Sequence, residues 1–181
     1  NILTMSSQMG GLVENLLDLA RIDSGIVKEE FGNVLFSDIV LDTAMMFEPV
    51  FYEKGLSLQY EINPNIYVHG NSAHLKQLIS IFLDNAVKYS SYKGITKLKL
   101  SCVSHKRCLL VITNQGEPIS NEDLKNIFKR FYRVDKAREM RHSYGLGLSI
   151  AQSIVEEHHG KIHAESSDGY NSFYVEIPCT E

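Results

Sequence analysis

Apolar side chains at Ile2, Met5, Met9, Leu12, Val13, Leu16, Leu17, Leu19 and Ala20 recur at intervals of three and four, the spacing of one helical face. The stripe predicts a helix over residues 2–22, weakened at Gly10-Gly11 and stopped at Asp23-Ser24-Gly25. Its width suggests more than one partner helix. A lone helix has nowhere to bury such a stripe, so it either packs onto its own domain or forms one arm of a helical hairpin or dimer bundle.

After Gly25 the period changes repeatedly. Ser37 reads as the N-cap of a helix over 38–54 that Gly55 ends. The run from Leu56 to Ile62 alternates with period two and predicts a strand, followed by a turn at Asn63-Pro64-Asn65 and a short strand over 66–69. Asn71 or Ser72 caps a long helix reaching Ser90, with Leu75, Leu78, Ile79, Phe82, Leu83 and Ala86 on its buried face. Strands over 97–103 and 108–113 form a hairpin around Ser104-His105-Lys106-Arg107. Ser120 caps a short helix to Phe131, and the charged stretch 133–143 lacks apolar periodicity, as a mobile surface loop would. A helix from Gly147 to His158 and two strands, 161–166 and 172–177, around Asp168-Gly169 complete the chain. Helices and antiparallel hairpins in this order predict an α+β, two-layer sandwich whose sheet is covered by helices on one face.

Composition narrows the function classes. The 181 residues are 44% apolar and carry a net charge of −4, which argues against a nucleic-acid binder with a basic face. No apolar run reaches the ~18 residues of a membrane span, and no secretory signal opens the chain. The first residue is Asn rather than Met, which reads as an excised fragment. Cys102, Cys108 and Cys179 are odd in number and include no C-x-x-C pair, so they fit plain strand residues in a reducing cytosol better than a zinc site.

Four patches carry candidate chemistry. In Leu83-Asp84-Asn85-Ala86-Val87-Lys88-Tyr89-Ser90, the residues Asn85, Lys88 and Tyr89 share one turn at a helix end. There Asn85 offers a neutral oxygen to Mg²⁺ and Lys88 a charge to a phosphate, although a polar helix end would look the same. In Thr113-Asn114-Gln115-Gly116-Glu117-Pro118-Ile119, Gly116 lets backbone approach a flat ligand and Asn114 both accepts and donates, which suits an adenine edge; a plain turn is the alternative. Ile127-Phe128-Lys129-Arg130-Phe131-Tyr132-Arg133 is aromatic like a core segment, but Arg133 stands where the charged loop begins and suits a phosphate fork on a movable lid. Within that loop, Lys136, Arg138 and Arg141 singly read as a solvated face. Tyr144-Gly145-Leu146-Gly147-Leu148-Ser149-Ile150 is the most specific patch, because two glycines opening a helix expose N–H groups to an anion.

In this order and spacing the four patches resemble the N box, first glycine box, F box and second glycine box of sensor histidine kinases, within the superfamily that includes DNA gyrase, the MutL mismatch-repair protein and the heat-shock chaperone ATPases. The resemblance spans residues 31–178, and 16–25 further resemble the end of the second dimerisation helix of these kinases. It implies a catalytic ATP-binding domain over 31–181 with a mixed, mostly antiparallel sheet of the Bergerat type, and over 1–25 the C-terminal part of a dimerisation and phosphoacceptor hairpin. It also implies Mg²⁺ and ATP as cofactors, with Asn85 on the metal and Lys88 and Tyr89 along the phosphates and ribose. Asn114 and Gly116 would lie at the adenine, and Arg133 near the γ-phosphate. Gly145, Leu146, Gly147 and Leu148 would wrap the triphosphate, and Ile119, Phe128 and Tyr132 complete the expected ATP contacts. The implied partners are a phosphoacceptor histidine of the parent kinase, a response regulator and a second copy through the N-terminal helix, with the domain cytoplasmic, neither membrane-inserted nor bound to nucleic acid, and the parent membrane-anchored.

Three positions depart from the family pattern. Asn114 stands where many members carry Asp, Pro118 replaces a glycine and removes an N–H, and Ile81, one turn before Asn85, replaces a second Asn or a water-activating Glu. No general base is expected, which counts against a stand-alone ATPase. None of His69, His74, His105, His142, His158, His159 and His163 has the acidic residue and nearby Pro that follow the family's phosphoacceptor, so that histidine is expected on a helix outside these residues. All seven read as surface or structural, and His158-His159 would sit at a helix end where a protonated ring favours the dipole. The other reading is a degenerate module that acts through partner contacts or phosphatase control.

Overall fold

The computed structural model describes residues 31–104, 106–134 and 145–180. The helix expected over 2–22, its place in a dimer, His105, His142 and most of the charged loop lie outside the described residues. A five-stranded sheet runs β2 (Ser57–Ile62), β4 (Ile95–Ser104), β5 (Arg107–Gln115), β7 (Tyr170–Pro178), β6 (Lys161–Ser167). The β2–β4 pairing is parallel and the other three are antiparallel. The expected mixed, mostly antiparallel sheet is what forms.

Alternation places the core. Leu98, Leu100, Leu110, Ile112, Phe173, Val175 and Ile177 are buried at every second position. They meet the inner faces of α1 (Phe36–Glu53), α2 (Ser72–Tyr89) and α4 (Gly147–Glu157) in one cluster. On α2 the six residues read as its buried face are the six that are buried. Asn71 caps it, Oδ1 accepting the His74 N–H at 3.0 Å. Gly55 ends α1 at φ 67°, a left-handed conformation that glycine adopts without steric penalty.

Three local readings need correction. A two-stranded ribbon of β1 (Gly32–Leu35) and β3 (Tyr67–Gly70) was not expected at its first strand, where four residues are too few to display a period. Ser37 does not cap α1, whose first N–H groups, on Phe36 and Ser37, reach the Ile66 carbonyl. Its hydroxyl instead donates to the Asn63 carbonyl at 2.7 Å and accepts the Ile66 N–H at 3.0 Å, clamping the turn between β2 and β3. The Ser120 helix is also shorter than expected: α3 covers Asn121–Leu124, and irregular turns carry the chain onward. Cys102 and Cys108 are strand residues facing one another across β4 and β5, and all three cysteines are free thiols.

Candidate functional site

The C-terminal end of α2 is tied to the end of β5. Ser91 N–H donates to Gln115 O at 2.8 Å, and Ser90 bridges to Gly116. This brings the first two patches together. A Cβ on Gly116 would lie 2.6 Å from the Tyr89 carbonyl and 3.0 Å from the Asn114 amide, so only glycine permits this approach. The third and fourth patches meet likewise at the foot of the charged loop. Phe131 N–H donates to the Gly145 carbonyl at 3.0 Å, and a Cβ on Gly145, at φ 69°, would lie 2.6 Å from Tyr132 O.

The four patches enclose a cavity of about 720 Å³. Of the residues expected to contact ATP, Asn85, Lys88, Tyr89, Asn114, Ile119, Tyr132, Arg133, Gly145, Gly147 and Leu148 line it. Three expected contacts do not. Gly116 lies behind the wall, between Tyr89 and Asn114. Phe128 packs against the core. Leu146 is 1% exposed, its side chain in the core and its carbonyl taken by Ile150 N–H and the Ser149 hydroxyl. Alternation and motif order could not separate a residue that shapes the wall from one that forms its surface.

Several wall residues were missed, among them Ser90, Tyr92, Glu117 and Asn171. Asn171 faces Asn114 across β5 and β7 and is 4% exposed. Its signal was available. Extending the inward alternation of Ile177, Val175 and Phe173 one step further reaches a polar residue at an inward position.

Lys88 pairs with Asp84 one turn earlier, at the partly exposed rim. Tyr132 Oη donates to Asp123 Oδ1 at 2.7 Å, and the Ser120 hydroxyl donates to the other carboxylate oxygen at 2.6 Å. These two bonds, the Ser120 bond first, hold the Asp123 carboxyl below its ordinary range, and the same carboxylate raises Tyr132. Ile81, the departure one turn before Asn85, has a packing role: its Cγ2 would lie 3.4 Å from a Cβ on Gly147. For a metal, Asn85 offers the cavity one neutral oxygen. Among the described residues no cluster of three His, Cys, Asp or Glu could hold an ion. Such a donor set fits Mg²⁺ that arrives with a polyphosphate and keeps most of its waters.

Residues 70–181 match the family described as histidine kinase-, DNA gyrase B- and HSP90-like ATPases. The chain belongs to this family. It is 30% identical over 178 residues to the sensor protein DltS of Streptococcus agalactiae, covering 98% of this chain and 45% of that protein. It is 40% identical over 152 residues to the sensor protein CiaH of Streptococcus pneumoniae, covering 83% and 34%. A mycobacterial sensor histidine kinase structure, MprB, superposes with a TM-score of 0.73 at 25% identity over 82% of this chain and 98% of that one. The chain thus spans less than half the length of these two sensor proteins. It is homologous to the ATP-binding catalytic domain of sensor histidine kinases. No helix among the described residues is long and apolar enough to cross a membrane.

Proposed function

We propose that the cavity binds Mg²⁺·ATP and presents its γ-phosphoryl group to a histidine of the parent kinase. The observation that carries this is the convergence of all four patches on one 720 Å³ space. Asn85 would hold the metal, with water and phosphate oxygens completing its shell. Lys88 and Tyr89 lie along the phosphates and ribose, Arg133 approaches the γ-phosphate from the loop foot, and the Gly145-Leu146-Gly147 turn lends backbone N–H groups at the start of α4. The base lies between Asn114 and the apolar Ile119. In the transfer, the bond from the γ-phosphorus to the ADP oxygen breaks as a bond to an imidazole nitrogen forms, and the imidazole proton passes to solvent. Positioning and charge neutralisation supply most of the catalysis of phosphoryl transfer, so the lack of a designated base in this set is consistent with the reaction.

In this reading residues 31–181 are the catalytic domain and 1–25 end the dimerisation hairpin. A second copy pairs through that helix. The phosphate continues to a response regulator, and the parent is a membrane-anchored kinase with this domain in the cytoplasm. The test is titration with a non-hydrolysable ATP analogue, with and without Mg²⁺, on the native chain and on Asn85→Ala. Metal-dependent binding that the substitution abolishes is expected. No binding at millimolar nucleotide would favour the degenerate module that Ile81, Asn114 and Pro118 suggest.

A further inference from the structure

The three cysteines meet at the end of the sheet remote from the cavity. Cys102 and Cys108 are register partners across β4 and β5, the last pair before the register shifts. Cys179 stands one residue past β7 and donates its N–H to the Lys106 carbonyl at 3.0 Å, so the chain goes on following β5 beyond Pro178. Alternation puts all three on the helix-covered face: Cys102 follows Leu98 and Leu100, Cys108 precedes Leu110 and Ile112, and Cys179 follows Val175 and Ile177 and packs against the core. Their cover differs. Cys108 is 1% exposed and Cys179 half-buried, but Cys102 is exposed despite its inward position.

The three thiols also differ in chemistry. Burial above all, with the two neighbouring thiols, pushes Cys108 up to about 12, and its Sγ donates to the Ile177 carbonyl at 3.5 Å. A thiol sealed in this way keeps its proton and is inert. Cys179 instead makes a side-chain hydrogen bond with Cys102, and burial first, then the Cys102 sulfur beside it, raise its pKa. Among the described residues no group of three His, Cys, Asp or Glu could hold a metal ion. The cluster is therefore a contacting pair, Cys102 with Cys179, beside a buried third thiol.

We propose that Cys102 and Cys179 are a redox-modification site: a small-molecule disulfide converts them to a reversible intrachain disulfide that pins the C-terminal segment to β4. The exposed Cys102 thiolate attacks one sulfur of the oxidant, forms a mixed disulfide and releases one thiol. The Cys179 thiolate then attacks the Cys102 sulfur, closes the bridge and releases the second thiol. Both cysteines are oxidised, each gives up its proton, and the oxidant is reduced to two thiols. Cys179 holds its proton more tightly than an ordinary thiol, so closure speeds up as the pH rises, while its contact with Cys102 offsets the small thiolate fraction. The bridge would also bear on the neighbouring ribbon, because Thr180 donates its N–H to the Tyr67 carbonyl on β3 at 2.8 Å and its hydroxyl to Asn33 Oδ1 on β1 at 2.7 Å. From Cys108 to Asn114 the rise of β5 amounts to about 20 Å, which leaves the proposal independent of the nucleotide reading.

The experiment is incubation of the folded chain with glutathione disulfide at pH 8, followed by intact mass measurement and non-reducing peptide mapping. The expected product is a monomer lighter by two hydrogens, with the peptides of Cys102 and Cys179 joined, and restored by dithiothreitol. Cys102→Ser should gain no glutathione, and Cys179→Ser should stop at one glutathione on Cys102. The closed bridge should raise the thermal midpoint by about 4 °C or more, because it closes a long loop of the unfolded chain. Glutathione left on Cys102 of the native chain, a Cys102–Cys108 link, a disulfide between two copies, or no reaction at all overturns the proposal. An unchanged or lower midpoint in the bridged chain overturns the pinning. Should Cys179→Ser fail to fold, the map of the native chain alone decides.

Discussion

His158, at the C-terminal end of α4, accepts the backbone N–H of Asn71, the cap of α2, on its Nε2 at 3.1 Å. Its other ring nitrogen, Nδ1, donates to the Ile154 carbonyl at 2.7 Å. His158 is 2% exposed, its ring lies tilted by 32° against Phe31 with centroids 5.0 Å apart, and it occupies the space that a Cβ on Gly70 would take. One acceptor nitrogen and one donor nitrogen define a neutral imidazole. The protonated helix-end role expected for this histidine is therefore corrected: a second proton would sit against the Asn71 N–H.

A pH dependence follows from that geometry. Burial depresses the His158 pKa below its ordinary 6.5, with the neighbouring His74 and His159 adding to the effect and the Ile154 carbonyl and Glu157 opposing it. The unfolded state binds the proton more readily, so this contribution to stability is complete above pH 6.5 and is lost as the pH falls through the folded value. His158→Asn should lower stability at pH 8 by about 1–3 kcal/mol, the cost of leaving a buried partner unsatisfied, and should flatten the acid limb of the stability profile. Chemical unfolding of both proteins from pH 8 to 5 checks this. Parallel profiles would show that His158 does not titrate with folding.

The Ser37 clamp makes a second expectation. Ser37→Ala removes the acceptor of the Ile66 N–H and the donor to the Asn63 carbonyl, groups the turn cannot easily return to water. A loss of about 1–3 kcal/mol in urea unfolding is expected. A loss under about 0.5 kcal/mol, within the range of an ordinary surface substitution, would show that water replaces the clamp.

These two residues mark where sequence reasoning stopped. Periodicity located α2 with every buried residue, because a helix that packs on a sheet must keep its apolar positions on one face. Motif order gathered ten wall residues into one cavity, because each box sits at an element end where backbone groups are open. Ser37 and His158 were misread for a common reason: a local rule, capping or the helix dipole, assigned them a partner nearby in sequence. Their actual partners are Asn63 and Ile66, and Asn71, which are 26, 29 and 87 residues away. Asn171 was missed because its importance depends on pairing with Asn114, and strand register is a tertiary fact.

Two glycines with similar backbone angles separate folding from binding. Gly145 and Gly169 have φ of 69° and 79°. An alanine at either position is strained, at a cost of about 1–2 kcal/mol. At Gly169 the new Cβ meets nothing within 4 Å, whereas at Gly145 it meets Tyr132 O at 2.6 Å and would push apart the foot of the loop that carries Arg133. Both substitutions should lower thermal stability, but only Gly145→Ala should weaken nucleotide binding, by at least about tenfold if the pinned turn orients the phosphates. Equal affinities in a calorimetric titration would show that the turn is dispensable.

The histidines make the last prediction. His158 is sealed in the core, and His74 pairs with Glu157 at 2.7 Å. His163 stacks on Tyr174 on the sheet, and His69 lies beside Phe31. An in-line attack on a γ-phosphorus needs an imidazole nitrogen within about 3–3.5 Å of it, and none of these four lines the cavity. His159, too, is absent from its wall, and neither His105 nor His142 has the sequence context of an acceptor. This chain should therefore bind ATP without acquiring phosphohistidine. Incubation with γ-labelled ATP, followed by acid and base treatment, tests it. Label stable to base and labile to acid would identify an acceptor among these seven histidines. Absence of label, regained on adding a separate polypeptide that carries the phosphoacceptor helix of a parent kinase, would establish the division of labour proposed for this domain.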